Sequence, residues 1–194
     1  MVIEQHLPLL EEILAKWQKE LGNDYLGYKN HLYRMVNFCF ALHNCNEVER
    51  RKIIIAACFH DLGIWTSNTF DYLPPSVALA KAYLRSAGPE AHLLDRSDCK
   101  QNDLEQWSSE IELMILMHHK LRKYQVEGYP LVEVFRKGDL VDFSLGFVRC
   151  GLSRAYIKSV KNRFPNAGFH KRLVQLELSW FSRHPLNPAP VLKW

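Results

Sequence analysis

The stretch IIIAACFHDLGIWT, Ile53 to Thr66, is almost purely apolar until a histidine and an aspartate, His60 and Asp61, stand side by side near its end. An imidazole nitrogen and a carboxylate oxygen together suit Mn, Fe, Zn, Ni or Co, and an incomplete shell around such an ion leaves positions for water and substrate. Adjacent residues on a helix point about 100° apart, so both reach one ion only from a helix end or from a helix that others cross closely. Other segments must complete the site. Taken alone, the pair has an ordinary structural reading, a buried histidine donating to a carbonyl and an aspartate capping a turn. Three further segments carry residues of the same kind. HLYRMVNFCFAL places His31 and Arg34 one turn apart, VFRKGDLVDFS places Asp139 and Asp142 on one helical face, and LMHHKL adds His118 and His119.

The elements that would position these groups read as helices. Leu7, Leu10, Ile13, Leu14 and Trp17 form one apolar stripe, and His31, Met35, Phe38 and Leu42 form another. NEVERRKIIIAACFHDL begins with a cap candidate, Asn46, and becomes apolar on all sides, as a central buried helix does. IWTSNTFDYLPPS reads as a loop, after which Ser76 caps VALAKAYLRSA until Gly88 and Pro89 stop it. GPEAHLLDRSDCKQND reads as irregular, and LEQWSSEIELMILMHHKLRKY as a helix running to EGYP. LVEVFRKGDLVDFS continues the pattern, and two more helices divided by Pro165 precede a proline-interrupted tail. With no strand pattern of useful length, the expected fold class is all-α, a compact helical bundle.

A chain of 194 residues suits one domain with one sizeable core, spanning 1–194, and 47% apolar with 24% charged residues is ordinary for a folded globular chain. No apolar run approaches the roughly 20 residues of a membrane span, and the acidic N-terminal stretch is unlike a signal peptide. Cys39, Cys45, Cys58, Cys99 and Cys150 are odd in number, lack a C-x-x-C pair and lie mostly among apolar neighbours, which suits reduced thiols in a cytoplasmic protein. The net charge of +4, with Lys158, Lys161, Arg163, Lys171 and Arg172 near one end, fits a solvated helical face. Neither a nucleic-acid nor a membrane partner is expected, and an anionic small substrate fits the charge equally well.

The order of these segments, H-x-x-R-M-V, then AACFHDLG after an apolar helix, then GDLVD, resembles the H…HD…D motif of the HD-domain superfamily of metal-dependent phosphohydrolases. The resemblance runs from about Asn30 to Ser144, leaving 145–194 as C-terminal helices and tail. It implies a helical bundle of the HD-domain type in which His31, His60, Asp61 and Asp139 are the ligands of one divalent metal ion: Mn, Fe, Co, Ni, Zn or Mg. Asp142 competes with Asp139 for the last place; the family's aspartate follows a small residue, here Gly138, which favours Asp139. The implied activity is hydrolysis of a phosphate ester, of a nucleotide in the first instance, by a metal-activated water that Asp61 also orients.

Relatives with two metals carry an additional histidine after the HD pair, where this chain has Pro75 and Ser76 instead. The resemblance therefore favours one ion over two. His118, on the apolar side of its helix, is a candidate for contact with the substrate phosphate or a second metal, and His119 is the weaker of the pair. Arg34 is expected to supply the fixed positive charge for phosphate, ahead of Lys120, Arg122 and Lys123. Trp65, Phe70, Asp71 and Tyr72 are candidates for stacking on or hydrogen-bonding a base. Two alternatives stand beside the hydrolase: a nucleotide-binding sensor with little turnover, and a di-iron oxygenase.

Overall fold

The structure, a computed structural model, describes residues 1–87, 101–186 and 191. The helix stop at Gly88 and Pro89, the irregular stretch up to residue 100 and the reading of Cys99 lie outside the described residues. Among those described the chain is helical without a strand, the all-α class that the periodicity predicts.

α1 (Pro8–Ala15) opens on a proline, where the missing N–H is not needed, and buries Leu10, Ile13 and Leu14. The short α2 (Gln18–Leu21) and a 3-10 turn lead into α3 (Tyr25–Leu42), whose middle is buried on every side. α4 (Glu47–Phe59) starts with a capping box: Asn46 accepts from the Glu49 N–H while the Glu49 carboxylate accepts from the Asn46 N–H. Its apolar half, Ile53 to Phe59, is buried throughout, so the helix delivers His60 and Asp61 from the core at its C-terminal end.

The chain then departs from the sequence expectation. Within the expected loop lies α5 (Gly63–Thr66), and α6 (Leu73–Ala87) begins three residues before Ser76. Pro74 and Pro75 occupy the first turn of α6, where no intrahelical N–H is lost. Ser76 is thus no cap. Its hydroxyl accepts from the Gly63 N–H at 2.9 Å, and a Cβ on Gly63 would lie 2.9 Å from that same oxygen. α7 (Gln101–Met117) starts earlier than expected and stops seven residues before Tyr124. The His118 ring is the reason at the near end, since its Nδ1–H donates to the Ile115 carbonyl, the acceptor that the next turn of helix would use.

α8 (Pro130–Phe143), α9 (Arg154–Arg163), capped by Ser153, and α10 (Phe169–Arg183) complete the described helices. One apolar core runs from Leu7 to Phe169. α10 covers it only in part: Trp180 stacks on His184, while Val174, Leu178 and Phe181 face outward, so the aromatic end of this helix is less of a core cover than its composition suggests.

The most extensive helix contact joins α3 to α8, the helices that carry His31 and Asp139. Gly138 permits it, because a Cβ there would run into Cys39 Sγ and lie 3.1 Å from the Met35 carbonyl oxygen. Gly138→Ala is expected to lower stability by about 1–3 kcal/mol through this overpacking, despite alanine's better helix propensity. Urea denaturation measures it; an unchanged or higher midpoint would show that the helices separate without strain.

Candidate metal centre

Four pieces of helix converge on one buried spot. α3 brings His31, the end of α4 brings His60 and Asp61, the turn after α7 brings His118 and His119, and α8 brings Asp139. His31 Nε2 lies 3.1 Å from His60 Nε2 and 3.8 Å from both Asp61 Oδ2 and Asp139 Oδ1. His60 Nε2 lies 3.2 Å from Asp61 Oδ2 and 4.0 Å from Asp139 Oδ1. On the other side of Asp61, Oδ1 faces His118 Nε2 at 3.4 Å, and His119 Nδ1 lies 3.9 Å from Asp139 Oδ2. Asp61 is shared between two groups of side chains with metal-ligand spacing, His31 and His60 on one side, His118 and His119 on the other.

Each of three imidazoles is aimed by a hydrogen bond at its far nitrogen. His60 Nδ1–H donates to the Ala57 carbonyl at 2.7 Å, His118 Nδ1–H to the Ile115 carbonyl at 2.7 Å, and His31 Nδ1–H to Asp142 Oδ2 at 2.7 Å. Fixing the proton on Nδ1 leaves the Nε2 lone pair for the centre, the arrangement that metal-ligating histidines show. Such bare nitrogens on His31 and His60 repel one another at 3.1 Å unless a proton or a cation lies between them. Two nitrogens at right angles on one ion, each about 2.1 Å from it, stand about 3.0 Å apart. The buried His/Asp cluster could therefore bind a metal ion, and its donors fit a divalent cation of the first transition row or zinc.

Charge points the same way. Burial opposes ionisation of Asp61, but the His60 and His118 imidazoles outweigh it and hold the carboxyl well below the usual range. Burial pushes the Asp139 carboxyl up in spite of the three histidines near it. Burial likewise opposes charge on His60, yet the Asp61 carboxylate beside it raises the imidazole to about 9. Burial and the His118 charge drive His119 well below its ordinary value. With no metal ion, a proton on His60 balances Asp61; a divalent ion would displace that proton.

Asp142 stands outside this ring and holds it. Its carboxylate takes Arg34 Nε on Oδ1 and, on Oδ2, both Arg34 Nη2 at 2.8 Å and His31 Nδ1. Burial would raise this carboxyl, and the hydrogen bonds from His31 and Arg34 bring it far below its ordinary value instead. Asp139 faces the cluster and Asp142 supports it, the division that the small residue before Asp139 suggests.

Arg34, expected to meet a phosphate, turns away from the cavity over the cluster. Its remaining donor, Nη1, goes to the Phe164 and Pro165 carbonyls, and the buried guanidinium does not line the cavity over the cluster. That cavity holds about 300 Å³ and is bounded at its polar end by His31, Asp61, His118, His119 and Asp139. Of the expected aromatic loop, Phe70 and Tyr72 line it, and the Tyr72 hydroxyl is hydrogen-bonded to His119 Nε2 at 2.7 Å. Trp65 packs on Tyr28 and donates to Asp24, and Asp71 is exposed; neither lines the cavity. Phe169, which stacks on His31, and Leu173 of α10 form a wall for which the sequence offers no spacing signal.

Removing the carboxylate in Asp142→Ala strands the buried Arg34 charge, with an expected loss of about 3–5 kcal/mol in stability. It should also weaken metal binding by about 10–100-fold through the loosened His31 ring. Because folding lowers this carboxyl below its ordinary 3.8, its stabilisation is present above that pH and lost as the pH falls beneath it. Thermal melts from pH 6 down to 2 should therefore show a shallower acid slope in the variant; parallel slopes would remove Asp142 from this role. For the centre itself, displacement of the His60 proton predicts a Mn or Zn affinity that rises by about tenfold per pH unit from neutrality to about 9. Calorimetric titration reads this, and an affinity flat with pH would mean that His60 is no ligand.

The chain matches no family model, no curated protein and no solved structure, so the reading of this centre rests on its geometry.

Proposed function

We propose that the chain is a cytoplasmic, metal-dependent phosphohydrolase of the HD kind. The observation that carries the reading is the set of three buried imidazoles, each tied at Nδ1 to an acceptor and aiming Nε2 at two carboxylates beneath a cavity. In this reading His31, His60, Asp61 and Asp139 hold one divalent ion. When bound there, the ion supplies Lewis acidity, which makes water a nucleophile near neutral pH and compensates charge on phosphoryl oxygens.

The remaining work falls to the chain. Asp61, kept ionised by its histidine neighbours, accepts a hydrogen bond from the attacking water and orients it towards phosphorus. As the new P–O bond forms, the ester P–O bond breaks, and the departing alkoxide takes up the proton that the attacking water gives up. Lys120 and Arg136, both on the cavity wall, bring positive charge to the phosphate; the Arg136 fork is itself held by Glu133. The substrate is a phosphate ester, with a nucleotide as the member suggested by the family resemblance. The free thiols of Cys39, Cys45, Cys58 and Cys150 support a reducing compartment, and no helix among the described residues is long and apolar enough to cross a membrane.

One observation favours a second ion. Among the described residues, Asp61 Oδ1 and His118 Nε2 are buried without a hydrogen-bond partner, and His119 completes a second trio with them. In this reading these two histidines supply, from the end of α7, the ligands that a histidine in the first turn of α6 would have supplied.

Elemental analysis of the purified protein is expected to give one or two metal ions per chain. His60→Ala should lose the first while His118→Ala reduces a count of two to one. Phosphate release from a panel of phosphate esters should require Mn, Co, Ni or Mg and fall to background in folded His60→Ala. A folded wild type that binds nucleotide tightly without metal and releases no phosphate would establish the sensor instead. Two irons with oxygen uptake would establish the oxygenase.

A further inference from the structure

The cavity over the cluster is divided sharply in character. Its polar end is the His/Asp cluster, and the walls rising from it are made by Ile64, Phe70, Leu121, Leu140, Phe143 and Leu173. The polar side chains among those walls are few and mostly committed. Arg136 is forked onto Glu133 and donates to the Lys120 carbonyl, and the Tyr72 hydroxyl is bonded to His119. Glu177 and Lys120 are the further polar lining among the described residues.

A nucleoside body makes the opposite demand. A ribose and a base edge carry hydroxyl, amino and carbonyl groups that lose water on entry, and each one left unmatched against an apolar wall costs affinity. Size argues in the same direction: about 300 Å³ lies near the lower limit of small-molecule pockets.

We propose that the ligand of this cavity is a small phosphate monoester with an apolar body, alkyl or aryl, its phosphate at the His/Asp end and its body against the Leu140–Leu173 walls. The inference rests on the phosphohydrolase reading for the identity of the head group alone; the preference for an apolar body rests on the walls. Alkyl and aryl bodies share this chemistry, and the experiment separates them.

The test is binding, so that it does not depend on turnover. Alkylphosphonates from ethyl to decyl, phenylphosphonate and benzylphosphonate, whose P–C bond cannot be hydrolysed, are titrated calorimetrically into the Mn-loaded protein, alongside adenosine and thymidine 5′-monophosphates. Affinity is expected to rise by about three- to fourfold per methylene up to about eight carbons and then level off. Benzylphosphonate should fall on that line if an aryl ring is accepted and below it if only a flexible chain fits. Leu173→Asn should flatten the slope and weaken the octyl ligand by about tenfold. A series flat with chain length, a nucleotide tighter than the octyl ligand, or a slope untouched by Leu173→Asn would each overturn the proposal.

Phosphate release from octyl phosphate separates the two readings. Rising phosphonate affinity without release keeps the apolar site and overturns the hydrolase. Phosphate release from nucleotides with a flat phosphonate series keeps the hydrolase and overturns the apolar ligand.

Discussion

Two imidazole nitrogens facing each other at 3.1 Å, both with their other nitrogen already donating, are the constraint around which this molecule is arranged. Such a pair is repulsive in the interior unless positive charge sits between or beside its members, and the adjoining carboxylates of Asp61 and Asp139 make the same demand. A proton on His60 meets it in part, and the Asp61 carboxylate that holds this proton raises the imidazole to about 9 against the effect of burial. A divalent cation meets it in full. The geometry that a proton satisfies poorly is the geometry that a metal satisfies well.

Holding like groups together requires restraint from outside, and each restraint can be followed to an element. The Ala57 and Ile115 carbonyls near the C-terminal ends of α4 and α7 accept from ring nitrogens, so two helix ends give up backbone acceptors to aim His60 and His118. His31 sits mid-helix with no such carbonyl to spare, and its ring is aimed instead by Asp142 on the neighbouring helix. A buried carboxylate in that position needs its own counter-charge, which is Arg34. Arg34 in turn is held by the Phe164 and Pro165 carbonyls at the approach to α10. The chain of support runs from the centre through α3 and α8 to the C-terminal region, and the close approach at Gly138 keeps its first link short.

The legible part of this in the sequence was local. An apolar run that ends in adjacent ligands must end in the core, and His60 and Asp61 do, at the helix end that their 100° separation requires. The helical class followed from periodicity for the same local reason. Arg34 shows where local reasoning stops: a spacing of three places it near the face of His31, but α3 is buried on all sides around that turn, so sharing a face does not mean sharing a cleft. Its partners lie more than 100 residues away, and no spacing encodes them. His119 ranks behind His118 in the sequence because His118 falls on the apolar side of a continuous helix. The helix stops at Met117, and the turn that follows brings both rings to the cavity.

The apolar walls bear on the proposed chemistry as well as on the proposed ligand. Charge–charge interaction strengthens as water is excluded, so a cation and a phosphate meeting at the closed end of an apolar cavity would attract more strongly than the same pair at the surface. The same exclusion would hold Asp61 to a single task in the phosphohydrolase we propose. Kept ionised by two imidazoles, it accepts hydrogen bonds and cannot donate them, and with few other polar groups lining the cavity among the described residues, a water it receives would have few orientations available. On that proposal, selectivity for an apolar body and the positioning of the nucleophile would arise from one property, the apolar character of the described walls around the cluster.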